Sequence, residues 1–503
     1  MLLSLIKSIG CLAFFLLLWT SGSFRNQCIQ YFNHLEEYLF SHKKIILIGA
    51  LALYVIIIFF LQLHHETEGD EGEAWLIARD TTSLKQMYAV MGYEGTPGLW
   101  HTILFPFAKS GASFSIIYVI NQLFVITAIA IWLFFAPFPL LVRILLPFTH
   151  VFLTEYSVNA RSYALSTCLL FVGLALYKNY YNKWLLWAIV FFLLANTNIH
   201  STALCCGFAL MLFLNWGFKK NKTDGKALII VSAGILLAII QVLPPSDLET
   251  NMAQFRMIGQ LKFITNRIVT GNPALSNLLY FVFLIQVMRT TKDKIQLFAL
   301  LSIQLALFYV FFFIYFGGMR HHFFLFLSIL MILWIDNNKK NNHVTNLFLF
   351  VIQLLMISTA IILGINEWKY NGTSPKQIAE YIKTHSDSKT FIAAYPDVII
   401  NAVSPFVPKE VFYLPRANRW DTYSIWYQQR NSGSFNPDII QHIAVLPKSH
   451  PGFKSYFYLT VKPIPADSIK YYNIELMTEI SDPSQRRPSD PWKTYYLYRL
   501  PAN

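Results

Sequence analysis

The chain has 503 residues, of which 55% are hydrophobic, 16% aromatic and only 13% charged. Soluble globular domains carry about 25% charged residues, and the mean hydropathy here is +0.44. These values exclude a disordered chain, a nucleic-acid-binding domain and an ordinary cytosolic enzyme, and they predict a polytopic membrane protein. The net charge of +13 therefore bears on how the chain is oriented in a bilayer, not on a nucleic-acid partner.

Eleven apolar runs, each long enough or nearly long enough to cross a bilayer, follow one another with short polar connections. They cover residues 45–63, 114–135, 139–154, 162–178, 184–199, 201–217, 227–243, 274–289, 295–316, 323–335 and 344–365. Residues 1–20, interrupted by Lys7, are either a twelfth span or an interfacial helix. The predicted fold is an α-helical polytopic membrane protein with 11 or 12 transmembrane helices.

The positions of lysine and arginine orient these spans, because short cytoplasmic loops are rich in both. If Lys43 and Lys44 are cytoplasmic, strict alternation puts fourteen basic residues in short loops on that side and eight on the other. We therefore expect an N-terminal helix and cytoplasmic segment at 1–44 and a transmembrane domain at 45–365. The first outer loop is then 64–113.

The composition changes after residue 365. Residues 366–503 contain sixteen Lys and Arg residues, many Pro and Tyr residues, and no long apolar run. A helix is predicted to begin at Ser374, with Pro375 at its first position. The runs TFIAAYP, SYFYLTV and TYYLYRL are typical of strands. We expect 366–503 to form a small α/β domain on the extracytoplasmic side.

The first outer loop carries the strongest chemical signal. It reads GDEGEAWLIARD, with Asp70, Glu71 and Glu73, and then EGTPGLW, which begins at Glu94. A short amphipathic helix at 97–110 is expected to lie in the membrane interface. A carboxylate at this boundary can act as a general base toward a hydroxyl. The alternative is a solvated loop that keeps the outer face acidic.

Basic and polar residues recur at the outer ends of later spans. Arg161 and Tyr163 open one span, and His200 lies between two others. Gly317 and Gly318 allow a sharp turn before Arg320 and His321, which enter a late span. Arginine suits phosphate because its planar fork gives paired, charge-assisted hydrogen bonds. The alternatives are arginines that extend to the interface and a histidine that is a structural hydrogen-bonding residue.

The long outer loop 244–273 adds Arg256, together with Lys262 and Arg267. These side chains are candidates for lining the route of an anionic headgroup, and the alternative is an ordinary amphipathic loop. No dinucleotide-binding glycine motif, P-loop, zinc-protease motif or nucleophile elbow is present in the sequence.

In order and sidedness these motifs resemble the GT-C superfamily of membrane glycosyltransferases, in particular protein O-mannosyltransferases, aminoarabinose transferases and their bacterial relatives. The resemblance covers about residues 45–365. The acidic pair after an early span is matched by Asp70-Glu71, and the acid before a juxtamembrane helix by Glu94. The Arg-x-Tyr that opens a later span is matched by 161–163, and a Thr-His-like pair by 198–200. The Arg that enters a late span is matched by Arg320-His321.

The resemblance implies an inverting glycosyltransferase that moves a hexose or pentose from a polyprenyl-phosphate donor to a glycan, lipid or protein acceptor. It places the activity at the outer face of a bacterial plasma membrane, with the bilayer as a partner and no nucleic acid. It implies Asp70 as the general base, and Glu94 as a ligand for a divalent metal ion or for the acceptor. That metal ion is the only cofactor it implies. Arg161 and Arg320 would hold the lipid phosphate.

Two departures leave the base open among Asp70, Glu71 and Glu73. The usual Pro-Pro of the juxtamembrane helix is Pro97-Gly98 here, and Glu73 adds a carboxylate that can substitute for its neighbours. Two other functions also remain open. A transporter or flippase of lipid-linked sugars uses intramembrane Arg and acids, but paired halves and interrupted helices are not evident. An oligosaccharide ligase or polymerase usually has its long loop late in the chain, whereas here it comes first.

Overall fold

The computed structural model describes residues 10, 13–248, 268–336, 343–369, 374–407, 412–428, 436–481 and 494–502. Helices form most of this structure, and a six-stranded sheet lies near the C-terminus. Six of the described helices are long and apolar enough to cross a membrane. They are Lys43–Leu63, Ile116–Phe135, Ile199–Lys219, Lys222–Gln241, Lys294–Ile314 and His343–Ile361.

The helical part precedes residue 370, and its helices are numbered here in chain order. They are α1 Gly22–Phe40, α2 Lys43–Leu63, α3 Gly69–Asp80, α4 Leu84–Glu94, α5 Leu99–Lys109, α6 Ile116–Phe135, α7 Leu140–Leu145, α8 Ser162–Asn179, α9 Trp184–Ala195, α10 Ile199–Lys219, α11 Lys222–Gln241, α12 Pro273–Thr290, α13 Lys294–Tyr309, α14 Met319–Ile335 and α15 His343–Lys369. Most begin and end within a few residues of the predicted apolar runs.

Side-chain caps explain why several helices begin where they do. Asn198, Asn221, Asn272 and Asp293 each accept a backbone N–H from the first turn of the helix that follows. Such caps satisfy backbone donors that have no partner within the helix. The polar residues between the apolar runs therefore both separate the helices and start them.

One predicted span, 139–154, is wrong as a continuous helix. The six-residue α7 is followed by a tight turn at Leu146–Phe148 and a wide helical turn at Val151–Glu155. Pro147 has no N–H to continue an α-helix, and mixed turns of this kind replace it. Helix α9 is also short, because 12 residues rise only about 18 Å.

The N-terminal segment lies only partly within the described residues. Residues 1–9, 11 and 12 are outside them, whereas residues 13–20 are helical. Phe15 and Leu18 are buried in the main hydrophobic core of the helical part. This segment therefore packs against the bundle.

Two ends of the helical bundle can be distinguished by their contacts. We call the end that carries residues 64–113 the site end and the other the distal end. At the distal end, Lys178 Nζ donates to the carbonyl of Ile335 at 3.1 Å, and Lys219 pairs with Asp293 at 2.7 Å. Loops that were predicted to share one side therefore do gather at one end of the bundle.

The C-terminal part is a mixed sheet with helices on it. Its elements are α16 Ser374–His385, β1 Thr390–Tyr395, α17 Ile399–Val403, β2 Phe412–Leu414, β3 Arg419–Asp421, α18 Ile440–Ala444, α19 Leu446–Ser449, β4 Ser455–Thr460, α20 Ala466–Tyr471, β5 Glu475–Ser481 and β6 Thr494–Leu500. The strand order is β3-β2-β1-β4-β6-β5, with β1 parallel to β2 and β4 and the other pairs antiparallel. Strands β1, β4 and β6 and helix α16 lie where the sequence predicted them.

The C-terminal domain packs directly on α3 in the first loop. Gly72 of α3 lies so close to α17 that a Cβ atom there would be 1.7 Å from the carbonyl oxygen of Asn401. Arg79 also donates to the carbonyl of Ser404 at 3.3 Å. The C-terminal domain and the first loop therefore lie together at the site end.

Candidate active site

Four helices start at the site end and bring their N-termini together. Asp70 lies in the first turn of α3, Arg161 is the N-cap of α8, and His200 and Arg320 are the second residues of α10 and α14. Helix N-termini carry partial positive charge and unpaired N–H groups, so they attract anions. The motifs predicted from separate segments thus meet at one place.

Two arginines and three carboxylates form an ion-pair network in this place. Arg161 Nη1 bonds to Asp70 Oδ2. Arg320 bonds to Glu68 Oε2 at 2.8 Å and to Asp70 Oδ2 at 3.2 Å, and Glu155 lies 3.9 Å from it. Asp70 therefore bridges two arginines that come from different helices and are far apart in sequence.

The network is partly open to solvent. The Asp70 side chain keeps 48% of its surface accessible and that of Glu68 keeps 41%, although protein atoms surround both carboxylates closely. The Arg161 charge lowers the pKa of Asp70; burial raises it, and Arg320 adds to the lowering. Burial raises the pKa of Glu68, but Arg320 lowers it by more. Both carboxylates are therefore ionised and weakly basic at neutral pH.

Glu71 has a different environment from Asp70, although the two are adjacent. It is fully buried, and its Oε2 accepts from His65 at 2.9 Å and from the backbone N–H of Glu68 at 2.8 Å. Its Oε1 accepts the backbone N–H of Ala160 at 2.6 Å. Glu71 thus ties the start of α3 to the segment before α8, and this geometry favours a structural role over a catalytic one.

Glu73 lies about one turn beyond Asp70 on α3 and is held by the C-terminal domain. Its Oε1 accepts Asn401 Nδ2 at 2.9 Å and Ser424 Oγ at 3.3 Å. Burial raises the pKa of Glu73 well above the usual glutamate value; Glu94 and Asp70 raise it further, and Arg161 and Asn401 lower it. The carboxylates of Glu73 and Glu94 are therefore close enough for their charges to interact.

Tyr163 and His321 form a hydrogen-bonded pair beside the arginines. His321 Nδ1 accepts the backbone N–H of Gly318 at 2.7 Å, so the proton of the neutral ring is on Nε2. Nε2 then donates to the Tyr163 hydroxyl at 2.6 Å, and the tyrosine keeps its own proton to donate. Gly317 has φ +72°, and a Cβ atom there would come within 2.9 Å of the His321 ring, so a glycine is required.

His200 is near this pair but makes different contacts. Its ring centroid is 5.1 Å from that of His321 and 5.4 Å from that of Phe311. It is buried, and neither ring nitrogen bonds to any of the described residues. His200 therefore belongs to the wall of the site, between the polar network and the aromatic core.

Sequence reasoning missed several residues of this site. His101 on α5 is buried near Arg161, and burial together with that charge lowers its pKa to about 3, which keeps the ring neutral. Glu68, Asn401 and Ser424 also line the cluster. A histidine on the juxtamembrane helix was visible in the sequence, whereas nothing in the sequence linked Asn401 or Ser424 to the first loop.

Two predicted features are not found among the described residues. Arg256 lies outside them. Within the described ranges, no group of three or more His, Cys, Asp or Glu side chains is arranged to hold a metal ion. This result does not test Glu94 as a ligand for a divalent metal ion or for the acceptor, and that role stays a prediction.

No protein-family model matches the chain, and no curated protein matches it significantly.

Proposed function

We propose that the protein is an inverting glycosyltransferase of the GT-C type. It moves a hexose or pentose from a polyprenyl-phosphate donor to a glycan, lipid or protein acceptor at the outer face of a bacterial plasma membrane. The observation that carries this proposal is the convergence of Arg161 and Arg320 on the partly exposed carboxylates of Glu68 and Asp70, at the N-termini of α8 and α14.

The two arginines offer the hydrogen-bond donors that a lipid phosphate needs. Arginine gives phosphate paired, charge-assisted hydrogen bonds, and two helix N-termini add partial positive charge. Asp70 and Glu68 hold the two guanidinium groups in place before the donor arrives. When the phosphate binds, its oxygens replace part of the carboxylate pairing, on the side of the guanidinium groups that remains accessible to solvent.

The position of this cluster fits a lipid-linked donor. In the proposed arrangement, eleven segments cross the membrane: α2, α6, the broken segment 140–155, and α8 to α15. The site end is then extracytoplasmic. The donor phosphate lies at the interface while its polyprenyl chain remains in the bilayer, and α5 lies in the interface beside it.

The chemistry follows from this geometry. The acceptor hydroxyl attacks the anomeric carbon on the face opposite the phosphate, and the C–O bond to phosphate breaks as the new bond forms. Charge builds up on the leaving phosphate oxygens, and Arg161 and Arg320 stabilise it in place. The Tyr163 hydroxyl, oriented by His321, is a further donor to these oxygens. A single displacement of this kind inverts the anomeric configuration.

The proposed function is tested by measuring sugar transfer by the purified full-length protein in detergent. A panel of polyprenyl-phosphate sugars is mixed with a membrane-lipid extract, and donor consumption and glycosylated product are measured. The proposal predicts that one donor is consumed by wild type and that Arg320→Ala loses this activity. The matched control is Arg289→Ala, because Arg289 lies over the Trp19 ring at the distal end and its loss should leave transfer unchanged.

The same assay separates the transferase from a flippase. Detergent solution has no membrane sides, so a flippase leaves the donor intact, whereas a transferase consumes it. Movement of intact donor across proteoliposomes, without any consumption in detergent, would contradict the proposal.

A further inference from the structure

Glu73 differs from the other carboxylates at the start of α3, because within the described ranges neither an ion pair nor hydrogen bonds to both oxygens hold it. Asp70 and Glu68 are ion-paired to Arg161 and Arg320, and both oxygens of Glu71 accept buried hydrogen bonds. An ion-paired carboxylate is a poor proton acceptor because its charged form is already stabilised. The reaction needs another group to take the proton of the acceptor hydroxyl.

The two oxygens of Glu73 differ in a way that suits this task. Asn401 and Ser424 both donate to Oε1. Within the described ranges no group bonds to Oε2, and this oxygen keeps some solvent-accessible surface. Oε1 is thus held in place by two hydrogen bonds, and Oε2 is available to accept a proton.

The surroundings of Glu73 strengthen it as a base. The groups that face it are Asp70 on its own helix, Glu94 from α4, Arg161 from α8, and Asn401 from α17. Burial and the two carboxylates raise the pKa of Glu73, whereas Arg161 and Asn401 lower it, so Glu73 holds a proton more firmly than Asp70 does. The arginines move the pKa of Asp70 in the opposite direction.

We infer that Glu73, and not Asp70, accepts the proton of the acceptor hydroxyl, and that Asn401 and Ser424 of the C-terminal domain position it. The inference rests on the proposed function. As the acceptor oxygen bonds to the anomeric carbon, its proton moves to Glu73 Oε2. The electron pair of the breaking C–O bond leaves with the polyprenyl phosphate. The C-terminal domain is thereby part of the active site.

Exchanging the hydrogen-bond donor and acceptor between residues 73 and 401 tests this inference. Asn401→Asp places a second carboxylate against Glu73, so it should destabilise the domain contact and lower transfer. Combining it with Glu73→Gln restores one hydrogen-bond donor and one acceptor with their positions exchanged. The glutamine amide at position 73 can donate to the aspartate at position 401. The double variant should recover the melting temperature of wild type, but residue 73 can no longer accept a proton.

The expected result is that Glu73→Gln and the double variant both transfer about 10²–10⁴-fold more slowly than wild type, which is the range of a general base. Both should still bind polyprenyl monophosphate, because the arginines are intact. The control is Glu380→Gln, the same change at an exposed carboxylate of the C-terminal domain that pairs with Lys383; it should leave transfer unchanged.

Three results would overturn the inference. Recovery of transfer in the double variant would mean that residues 73 and 401 only hold the domains together. Normal transfer by Glu73→Gln alone would also exclude it as the proton acceptor. A wild type that consumes no donor would instead contradict the proposed function, and this inference with it.

Discussion

Basic side chains lie at both ends of the pair of helices α8 and α14, and the two ends use them differently. At the distal end, Lys178, in the last turn of α8, donates to the last carbonyls of α14, Ile335 and Asp336. At the site end, Arg161 and Arg320 lie at the N-termini of the same two helices. Cations stabilise a helix C-terminus and are unfavourable at an N-terminus.

This difference indicates which cations stabilise the fold and which are candidates for function. Lys178 is in a position that favours folding. The two arginines oppose the helix dipoles, and Glu68 and Asp70 offset this cost. Charges that are held against the local electrostatics are candidates for function rather than stability. The predictions below test this contrast, beginning with the largest effect.

Arg320→Ala should cause the largest change. Loss of one preorganised donor to developing negative charge typically costs about 10²–10³-fold in turnover. The protein should still fold, because Arg161 continues to neutralise Asp70. Turnover and melting temperature are measured together. A variant that retains turnover would show that Arg320 does not contact the donor.

Gly72→Ala should have the next largest effect, on stability at the site end. The added methyl group would overlap the backbone of Asn401, and overpacking of this kind costs about 1–3 kcal/mol. Release of the C-terminal domain should also lower transfer. The control is Gly49→Ala, where nothing lies within 4 Å of the new Cβ. Equal melting temperatures for the two variants would contradict the close packing of α3 on α17.

Lys178→Ala should affect stability but not transfer. Two charge-assisted hydrogen bonds to carbonyls are lost, at a cost of about 1–2 kcal/mol in unfolding free energy. Chemical denaturation of the detergent-solubilised protein measures the change in unfolding free energy, and the transfer assay measures the change in activity. If transfer fell as much as it does for Arg320→Ala, the two ends of the bundle would not be specialised as described.

The smallest effect concerns pH. The pKa of Asp70 is lower in the folded protein than in the unfolded chain, so its ion pairs stabilise the fold above the unfolded value of about 4. This contribution is lost as the pH falls through the folded pKa. Because the side chain is half exposed, it should amount to less than about 1 kcal/mol. The difference in melting temperature between wild type and Asp70→Asn should therefore disappear at low pH; a constant difference would contradict the ion pairing.

The helices were largely predictable from the sequence because apolar run length and polar caps are local signals. The break in 139–154 was missed because Pro147 was not weighed against the apolar composition around it. The gathering of Asp70, Arg161 and Arg320 at one end followed from alternation of the spans. The pairing of each carboxylate with its arginine could not be predicted, because Asp70 is 91 positions from Arg161 and 250 positions from Arg320 in the sequence.

The role of the C-terminal domain in the site could not be predicted. Asn401 and Ser424 have no local feature that distinguishes them from other polar loop residues. Their importance arises only because α17 packs on the backbone of Gly72, which places them next to Glu73. Such contacts depend on how the domain docks, and docking is a tertiary property.

The central claim is that the arginines at the N-termini of α8 and α14 bind a lipid phosphate. The most direct measurement is equilibrium binding of polyprenyl monophosphate and of the uncharged polyprenol to wild type, Arg320→Ala and Lys178→Ala in detergent. Wild type and Lys178→Ala should bind the phosphate much more tightly than the alcohol, and Arg320→Ala should lose this preference. Equal affinity of wild type for phosphate and alcohol, or an unchanged preference in Arg320→Ala, would contradict it.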